Sequence, residues 1–187
     1  SVGLGTQLEL LAITKALGGL EHLPGDCYLT INCSPRTAAS PDLQATLNNY
    51  PLHRLVVELT EHEQAEDTAL LASSLDLLRS AGIRIAIDDA GSGYSGLQRI
   101  LELRPDIIKL DRFFVHSIEK DPGKQAMAVA LASFSRSVRC SIIAEGVETY
   151  EELAALEELG FYHLQGYLLG RPSSIQELYL TACTPTC

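Results

Sequence analysis

A regular alternation of short apolar runs with longer helical patterns constrains this chain most. Six runs rich in β-branched residues read as strands, and successive runs are spaced roughly 20 to 40 residues apart. The predicted strands are Cys27–Asn32, Leu55–Leu59, Ile83–Asp88, Asp106–Asp111, Ser141–Glu145 and His163–Tyr167. This alternation predicts an α/β fold with a parallel sheet and helices outside it. Six strands suit an open doubly wound sheet, whereas a closed (β/α) barrel needs eight strands and about 250 residues.

The segments between the strands carry helix signals. Ser40-Pro41 places a capping residue and a proline at the start of a short helix, and Thr149 with Glu152 forms a capping box. The helix that starts at Asp121-Pro122 is predicted to bury four large apolar residues, namely Met127, Leu131, Phe134 and Val138. No dinucleotide-binding or Walker loop follows the first predicted strand, which removes the best evidence for an open nucleotide-binding sheet.

Polar side chains lie at or near the carboxyl end of every predicted strand. They are Asn32, Glu58, Asp88 with Asp89, Lys109, Glu145 and Gln165. An acid pair followed by glycines can simply end a strand as a turn. A strand buried on both faces, however, has no packing reason to carry a Glu or a Lys, and here all six strands carry a polar residue. Because parallel strands present their carboxyl ends at one edge, the set predicts an oxygen-rich site for divalent ions with a neighbouring ammonium group.

Two reaction classes fit such a site when the residues alone are considered. One is phosphoester hydrolysis, in which two metal ions activate water and stabilise the leaving oxygen. The other is proton abstraction next to a carboxylate, with a lysine as the base and Mg²⁺ holding the enediolate. The residues leave both classes open.

Charge and cysteine content exclude several other classes of protein. The 187 residues carry a net charge of −10 and no cluster of Lys or Arg, which argues against binding a nucleic acid polymer. No segment is long and apolar enough to span a bilayer, so we expect no membrane contact from this chain. The five cysteines form no C-x-x-C pair, which favours reduced thiols and a cytoplasmic location.

Seven short segments resemble, in the same order, the EAL family of bacterial cyclic di-GMP phosphodiesterases. They are Ile31–Pro35, Val57–Glu61, Asp88–Ser95, Ile108–Arg112, Ala144–Glu148, Gln165–Leu168 and Gly170–Pro172. Together they extend over nearly the whole chain, although no single one is specific. The resemblance implies a TIM-like (β/α) barrel and hydrolysis of one phosphodiester of cyclic di-GMP to give linear pGpG. It also implies two divalent ions, Mg²⁺ or Mn²⁺.

The resemblance also implies a role for each matching residue. The implied metal ligands are Asn32, Glu58, Asp88, Asp89 and Glu145. Lys109 and Glu145 would be catalytic, with Lys109 orienting the attacking water or neutralising charge on the phosphate, and Lys109 and Gln165 would contact the substrate. Glu61 and Glu148 would anchor the loop from Ala90 to Ser95, which couples metal occupancy to dimer contacts in the family.

The chain departs from the family pattern at two places. The Glu-x-Leu-x-Arg motif is absent, and it belongs to a strand that we expect before Ser1, so the barrel is predicted to lack its first two strands. Ala90 stands where the family usually has Phe. We therefore expect a truncated EAL-type domain over residues 1–180 and a tail over 181–187.

The truncation keeps an alternative open, a non-catalytic cyclic di-GMP receptor or an interaction scaffold. The open sheet edges would be left exposed or covered, either by the missing part of the parent protein or by a second copy, and we expect a homodimer. Sensor or GGDEF domains are expected in the parent protein.

Overall fold

The computed structural model describes residues 4–59, 68–90 and 94–174. These residues belong to two compact units, one made of the residues up to Arg84 together with residues 172–174 and one from Ile85 to Arg171. The described part of the chain contains no helix that is both long and apolar enough to cross a membrane.

The first unit contains helices and two parallel strands that pair with each other. Its elements are α1 (Leu4–Leu17), β1 (Leu29–Cys33), α2 (Pro35–Ala38), α3 (Pro41–Leu47), β2 (Leu55–Leu59) and α4 (Thr68–Ser80), with 3₁₀ turns at Leu20–His22 and Leu52–Arg54. In the register of β1 against β2, Leu29 lies opposite Leu55 and Asn32 lies opposite Glu58. All five residues of β2 are buried, as expected for a strand covered on both faces.

Serine caps set the starts of α2 and α3. The side chain of Ser34 accepts the N–H of Thr37, and that of Ser40 accepts the N–H of Asp42. A proline occupies the first turn of each helix, where the lost N–H group would have no partner within the helix. The Ser40-Pro41 prediction is confirmed. The one-turn helix α2 was not predicted, because four residues are too few to show a helical apolar period.

The second unit contains four parallel strands in chain order. Its elements are β3 (Arg84–Ala90, which begins at the unit boundary), α5 (Tyr94–Leu103), β4 (Ile107–Leu110), α6 (Arg112–Val115), a 3₁₀ turn at Ile118–Lys120, α7 (Pro122–Ser137), β5 (Ser141–Glu145), α8 (Tyr150–Glu158) and β6 (Leu164–Gln165). Strand β3 pairs with β4, β4 with β5, and β5 with β6. The capping box at the start of α8 is present, with Thr149 and Glu152 each accepting a backbone N–H of the other.

The structure corrects the bounds of four predicted strands and the predicted buried face of one helix. Strand β3 spans Arg84–Ala90 rather than Ile83–Asp88, and β4 spans Ile107–Leu110 rather than Asp106–Asp111. Strand β1 begins at Leu29 rather than Cys27, and β6 pairs only over Leu164–Gln165. The predicted core face of α7 is wrong at Met127 and Val138, which are exposed, and Phe134 is half-buried. The buried residues of the helix are Ala128, Leu131, Ala132 and Ser135. The small side chains on that face let α7 approach β5 and the 3₁₀ turn closely, which the pattern of large apolar residues does not indicate.

Candidate functional site

An ammonium group between two carboxylates forms the centre of the candidate site. Lys109 in β4 places its Nζ atom 2.6 Å from Oε1 of Glu145, the last residue of β5. The same Nζ atom lies 3.8 Å from Oδ1 of Asp88 in β3. The side chains of Lys109 and Glu145 are only 12% and 19% exposed. Three neighbouring strands therefore deliver opposite charges to one partly desolvated place near their carboxyl ends, where Coulomb attraction is stronger than in bulk water.

A β-bulge explains how Asp88 reaches this place. Ile87 pairs with Ile108 and Ala90 pairs with Leu110, so that Asp88 and Asp89 together lie opposite Lys109 alone. Bulges are uncommon between parallel strands, and they redirect side chains next to active sites. The backbone of Asp89 lies in β3, but its side chain lies outside the described residues. The bulge thus brings two consecutive acidic residues to the level of one lysine.

Asn32 and Glu58 form a second polar pair, in the first unit. They are direct register partners near the carboxyl ends of β1 and β2. Glu58 is only 4% exposed, whereas Asn32 is exposed. A carboxylate buried to this degree needs hydrogen bonds or a counter-charge. The two side chains are brought to the same level of the strand pair, as their predicted role as oxygen ligands requires.

Gln165 lies directly opposite Glu145 in the register of β5 against β6. Its side chain is exposed, and its backbone carbonyl accepts the N–H of Val147 at 3.1 Å. Gly166, the next residue, lies against the backbone of Val147 so closely that a Cβ atom would collide with it. The substrate role of Gln165 stays a prediction.

The predicted loop anchors have different outcomes. Glu148 forms an ion pair with Arg112, with Nη2 2.9 Å from Oε1. Glu61 and residues 91–93 of the loop that it was predicted to anchor lie outside the described residues. The anchoring roles of Glu61 and Glu148 therefore stay predictions.

Two long-range contacts of acidic side chains escaped the sequence reasoning. Glu9 on α1 accepts the N–H of Ser34 at 3.2 Å and its hydroxyl at 2.9 Å, which fixes the chain just after β1. Glu152 on α8 accepts the N–H groups of Ser117, Glu148 and Thr149. The capping box identified the contact of Glu152 with Thr149, but no local signal indicates partners 25 or 35 residues away.

The donor chemistry of these residues fits hard divalent cations. The carboxylates of Glu58, Asp88 and Glu145 and the amide of Asn32 offer oxygen ligands of the kind that Mg²⁺ and Mn²⁺ prefer. Asp88 and Glu145 already converge on a positive charge, that of Lys109. Within the described residues no group of three or more His, Cys, Asp or Glu side chains is arranged as a metal site.

Comparisons with known proteins identify the family. PdeG of Escherichia coli, named a probable cyclic di-GMP phosphodiesterase, is 37% identical over 180 residues, which are 92% of this chain and 36% of PdeG. MucR of Pseudomonas aeruginosa, named a bifunctional diguanylate cyclase/cyclic di-GMP phosphodiesterase, is 37% identical over 159 residues, which are 82% of this chain and 23% of MucR. The chain thus spans well under half of either curated relative.

The solved structure of Klebsiella pneumoniae BlrP1 in a manganese/cyclic di-GMP complex is similar in fold. It superposes with a TM-score of 0.81 at 32% identity, covering 89% of this chain and 45% of that one. The structural neighbours are EAL domains, which have a TIM-barrel fold, so the predicted fold class is confirmed. The EAL domain model matches residues 1–172, and the chain belongs to the EAL domain family.

Proposed function

We propose that this chain hydrolyses cyclic di-GMP to linear pGpG and that it uses two divalent ions, Mg²⁺ or Mn²⁺. Membership of the EAL family supports the reaction class. The names of PdeG and MucR support the substrate, and the manganese complex of BlrP1 supports the use of a divalent ion.

The observation that carries the proposal is the contact of Lys109 with Glu145 and Asp88 at the bulge. A structural ion pair needs one acid for one base. Here one lysine meets two carboxylates, and a third acidic residue, Asp89, is adjacent in sequence. In these contacts the carboxylates outnumber the ammonium group, and excess negative charge would repel a cyclic dinucleotide with two phosphodiester anions. Additional cations at the site would reverse this repulsion.

The residues that would hold these ions are Asn32, Glu58, Asp88, Asp89 and Glu145. Divalent ions bound there would supply Lewis-acid stabilisation of the charge that develops on the phosphodiester. The protein's own contribution begins with Lys109, whose ammonium group would donate a hydrogen bond to a phosphate oxygen or to the attacking water. The carboxylate of Glu145 holds that ammonium group in place at 2.6 Å.

Gln165 would add a contact to the substrate from the neighbouring strand. It is the register partner of Glu145, and an amide side chain can both donate and accept hydrogen bonds. An exposed amide at this position can turn toward a ligand without leaving a buried polar group unpaired.

The test is to incubate the chain with cyclic di-GMP and Mn²⁺ or Mg²⁺ and to separate the products by chromatography. We expect pGpG with either ion and none in excess EDTA. Asp88→Asn should abolish the product, while Asp26→Asn, a change at an exposed aspartate in the loop before β1, should not. Full activity in EDTA would contradict the metal requirement. Ligand binding without hydrolysis would instead indicate a receptor.

Four further features belong to the same proposal. We infer a homodimer, a cytoplasmic location, an EAL domain over residues 1–180 and a parent protein with sensor or GGDEF modules. The printed name of MucR includes a diguanylate cyclase, which supports the last of these. Light scattering after size-exclusion chromatography would test the dimer directly.

A further inference from the structure

Arg112 lies beside the candidate site but belongs to none of the predicted ligand or catalytic positions. It opens α6, three residues after Lys109, and its guanidinium group pairs with Glu148, three residues after Glu145. In addition to the strand pairing, two side-chain ion pairs therefore link the β4 and β5 regions. One connection is the Lys109–Glu145 contact of 2.6 Å, and the other, just beyond the strand ends, is the Arg112–Glu148 contact of 2.9 Å.

The stem of Arg112 also packs on the residue next to Glu145. Gly146 has a φ of +77°, and a Cβ atom there would lie 2.5 Å from Cγ of Arg112 and 2.8 Å from its Cβ. The aliphatic part of the arginine thus covers the bare Cα of Gly146. Only glycine permits this close approach with a positive φ. Movement of the Arg112 stem would remove this contact from the residue that follows Glu145.

The Glu148 end of the contact is held independently. Its backbone N–H donates to Oε2 of Glu152 at 2.9 Å, and Oε1 of Glu152 accepts the N–H of Ser117 at 2.9 Å. Glu152 is only 2% exposed. The backbone at Glu148 is therefore anchored to a buried carboxylate, so that its side chain offers Arg112 a partner of defined position.

Val147, between Gly146 and Glu148, is fixed from the other side by β6 and by the turn that follows it. Its N–H donates to the carbonyl of Gln165, and its carbonyl accepts the N–H of Leu168, both at 3.1 Å. The segment from Gly146 to Glu148 is consequently held by α6, α8 and β6. Of these contacts, the one made by Arg112 acts on the residue adjacent to Glu145.

We propose that Arg112 is a positioning residue that acts through Gly146 and Glu148 to keep Glu145 in contact with Lys109. This inference rests on the proposed hydrolysis of cyclic di-GMP. The Arg112 side chain is 59% exposed, and exposed ion pairs contribute little to stability. Its loss should therefore affect the placement of Glu145 more than the stability of the fold.

The test compares Arg112→Gln and Arg112→Lys with Lys120→Gln in the full chain. Lys120 also pairs with a carboxylate, that of Glu119 at 3.0 Å, but it lies in the 3₁₀ turn Ile118–Lys120. We expect Arg112→Gln to lower kcat about 10- to 100-fold, as losses of supporting contacts around a site do, with KM and the unfolding midpoint unchanged. Arg112→Lys, which keeps the charge, should recover part of kcat.

A second readout needs neither metal nor substrate. Hydrogen–deuterium exchange followed by mass spectrometry should show faster exchange in residues 144–149 of Arg112→Gln, with residues 29–33 of β1 unchanged. Unaltered kcat, a change in KM alone, or unaltered exchange in residues 144–149 would each overturn the inference. If the unsubstituted chain produces no pGpG, the proposed function fails, and the exchange measurement alone decides whether Arg112 holds this segment.

Discussion

Replacing Glu152 with alanine should lower the free energy of unfolding by about 3 kcal/mol, because its carboxylate joins two loops of the second unit. It accepts the N–H groups of Ser117 at 2.9 Å, Glu148 at 2.9 Å and Thr149 at 3.1 Å. Nδ1 of His116 lies 3.4 Å from the same carboxylate. Because the side chain is only 2% exposed, water would not readily take over its hydrogen bonds in the alanine variant.

The magnitude follows from the partners that would be left behind. Hydrogen bonds to charged groups contribute about 1.5 to 3 kcal/mol each. Thr149 is exposed and its N–H can bind water, so the half-buried N–H groups of Ser117 and Glu148 dominate the loss. Two such bonds at the lower bound give about 3 kcal/mol. For a chain of this length that corresponds to a fall in Tm of roughly 6 to 12 °C.

The assay is urea denaturation monitored by circular dichroism, with Glu151→Ala as the matched control. Glu151 precedes Glu152 in the same helical turn but is exposed, so its replacement should cost within about 0.5 kcal/mol. Glu152→Gln keeps the size but loses one of the two acceptor oxygens, so it should cost about 1.5 kcal/mol, the lower bound for one such bond. Equal losses for Glu151→Ala and Glu152→Ala would refute the role assigned to the buried carboxylate.

Three further predictions concern pH, thiol reactivity and backbone strain. Burial alone would raise the pKa of Glu152, but the backbone N–H donors outweigh it and lower the pKa below 4.5. The stabilising effect of the carboxylate should therefore be complete above pH 4.5 and disappear as the pH falls further. When unfolding is measured over an acid titration, Glu152→Gln should lose less stability than the unsubstituted chain. Burial raises the pKa of the Cys33 thiol to about 12, so at pH 8 iodoacetamide should label the exposed Cys27 before Cys33. Equal labelling of the two thiols in peptide maps would contradict this. Gly146→Ala should lower Tm more than Gly160→Ala, because both have positive φ but a Cβ atom meets nothing within 4 Å at Gly160; equal shifts would contradict it.

Much of the fold was predictable because strand runs and caps are local signals. The runs at Leu55–Leu59 and Ser141–Glu145 match the observed strands. A short apolar run of β-branched residues fits a buried parallel strand better than other elements of secondary structure. The buried face of α7 was predicted wrongly because the size of the side chains, and not their hydrophobicity alone, decides which of them pack inward. Small residues such as Ala128 and Ala132 pack inward, while the larger Met127 remains exposed.

The composition of the site was predictable, but its internal contacts were not. Parallel strands end at one edge, so polar residues near strand ends indicate a shared site. The bulge that places Asp88 and Asp89 opposite Lys109 has no sequence signal beyond the acid pair itself. Contacts such as Arg112 with Glu148 depend on the three-dimensional arrangement of loops, which local patterns do not encode.

The most direct test of the central claim is hydrolysis of cyclic di-GMP in Mn²⁺ by the unsubstituted chain, Lys109→Met and Glu145→Gln, with Glu158→Gln as control. Glu158 is an exposed carboxylate at the end of α8, far in sequence from the site residues of β3 and β4. We expect pGpG from the unsubstituted chain and the control, and a loss of at least about 100-fold in both site variants. Undiminished pGpG production by Lys109→Met and Glu145→Gln would contradict the claim.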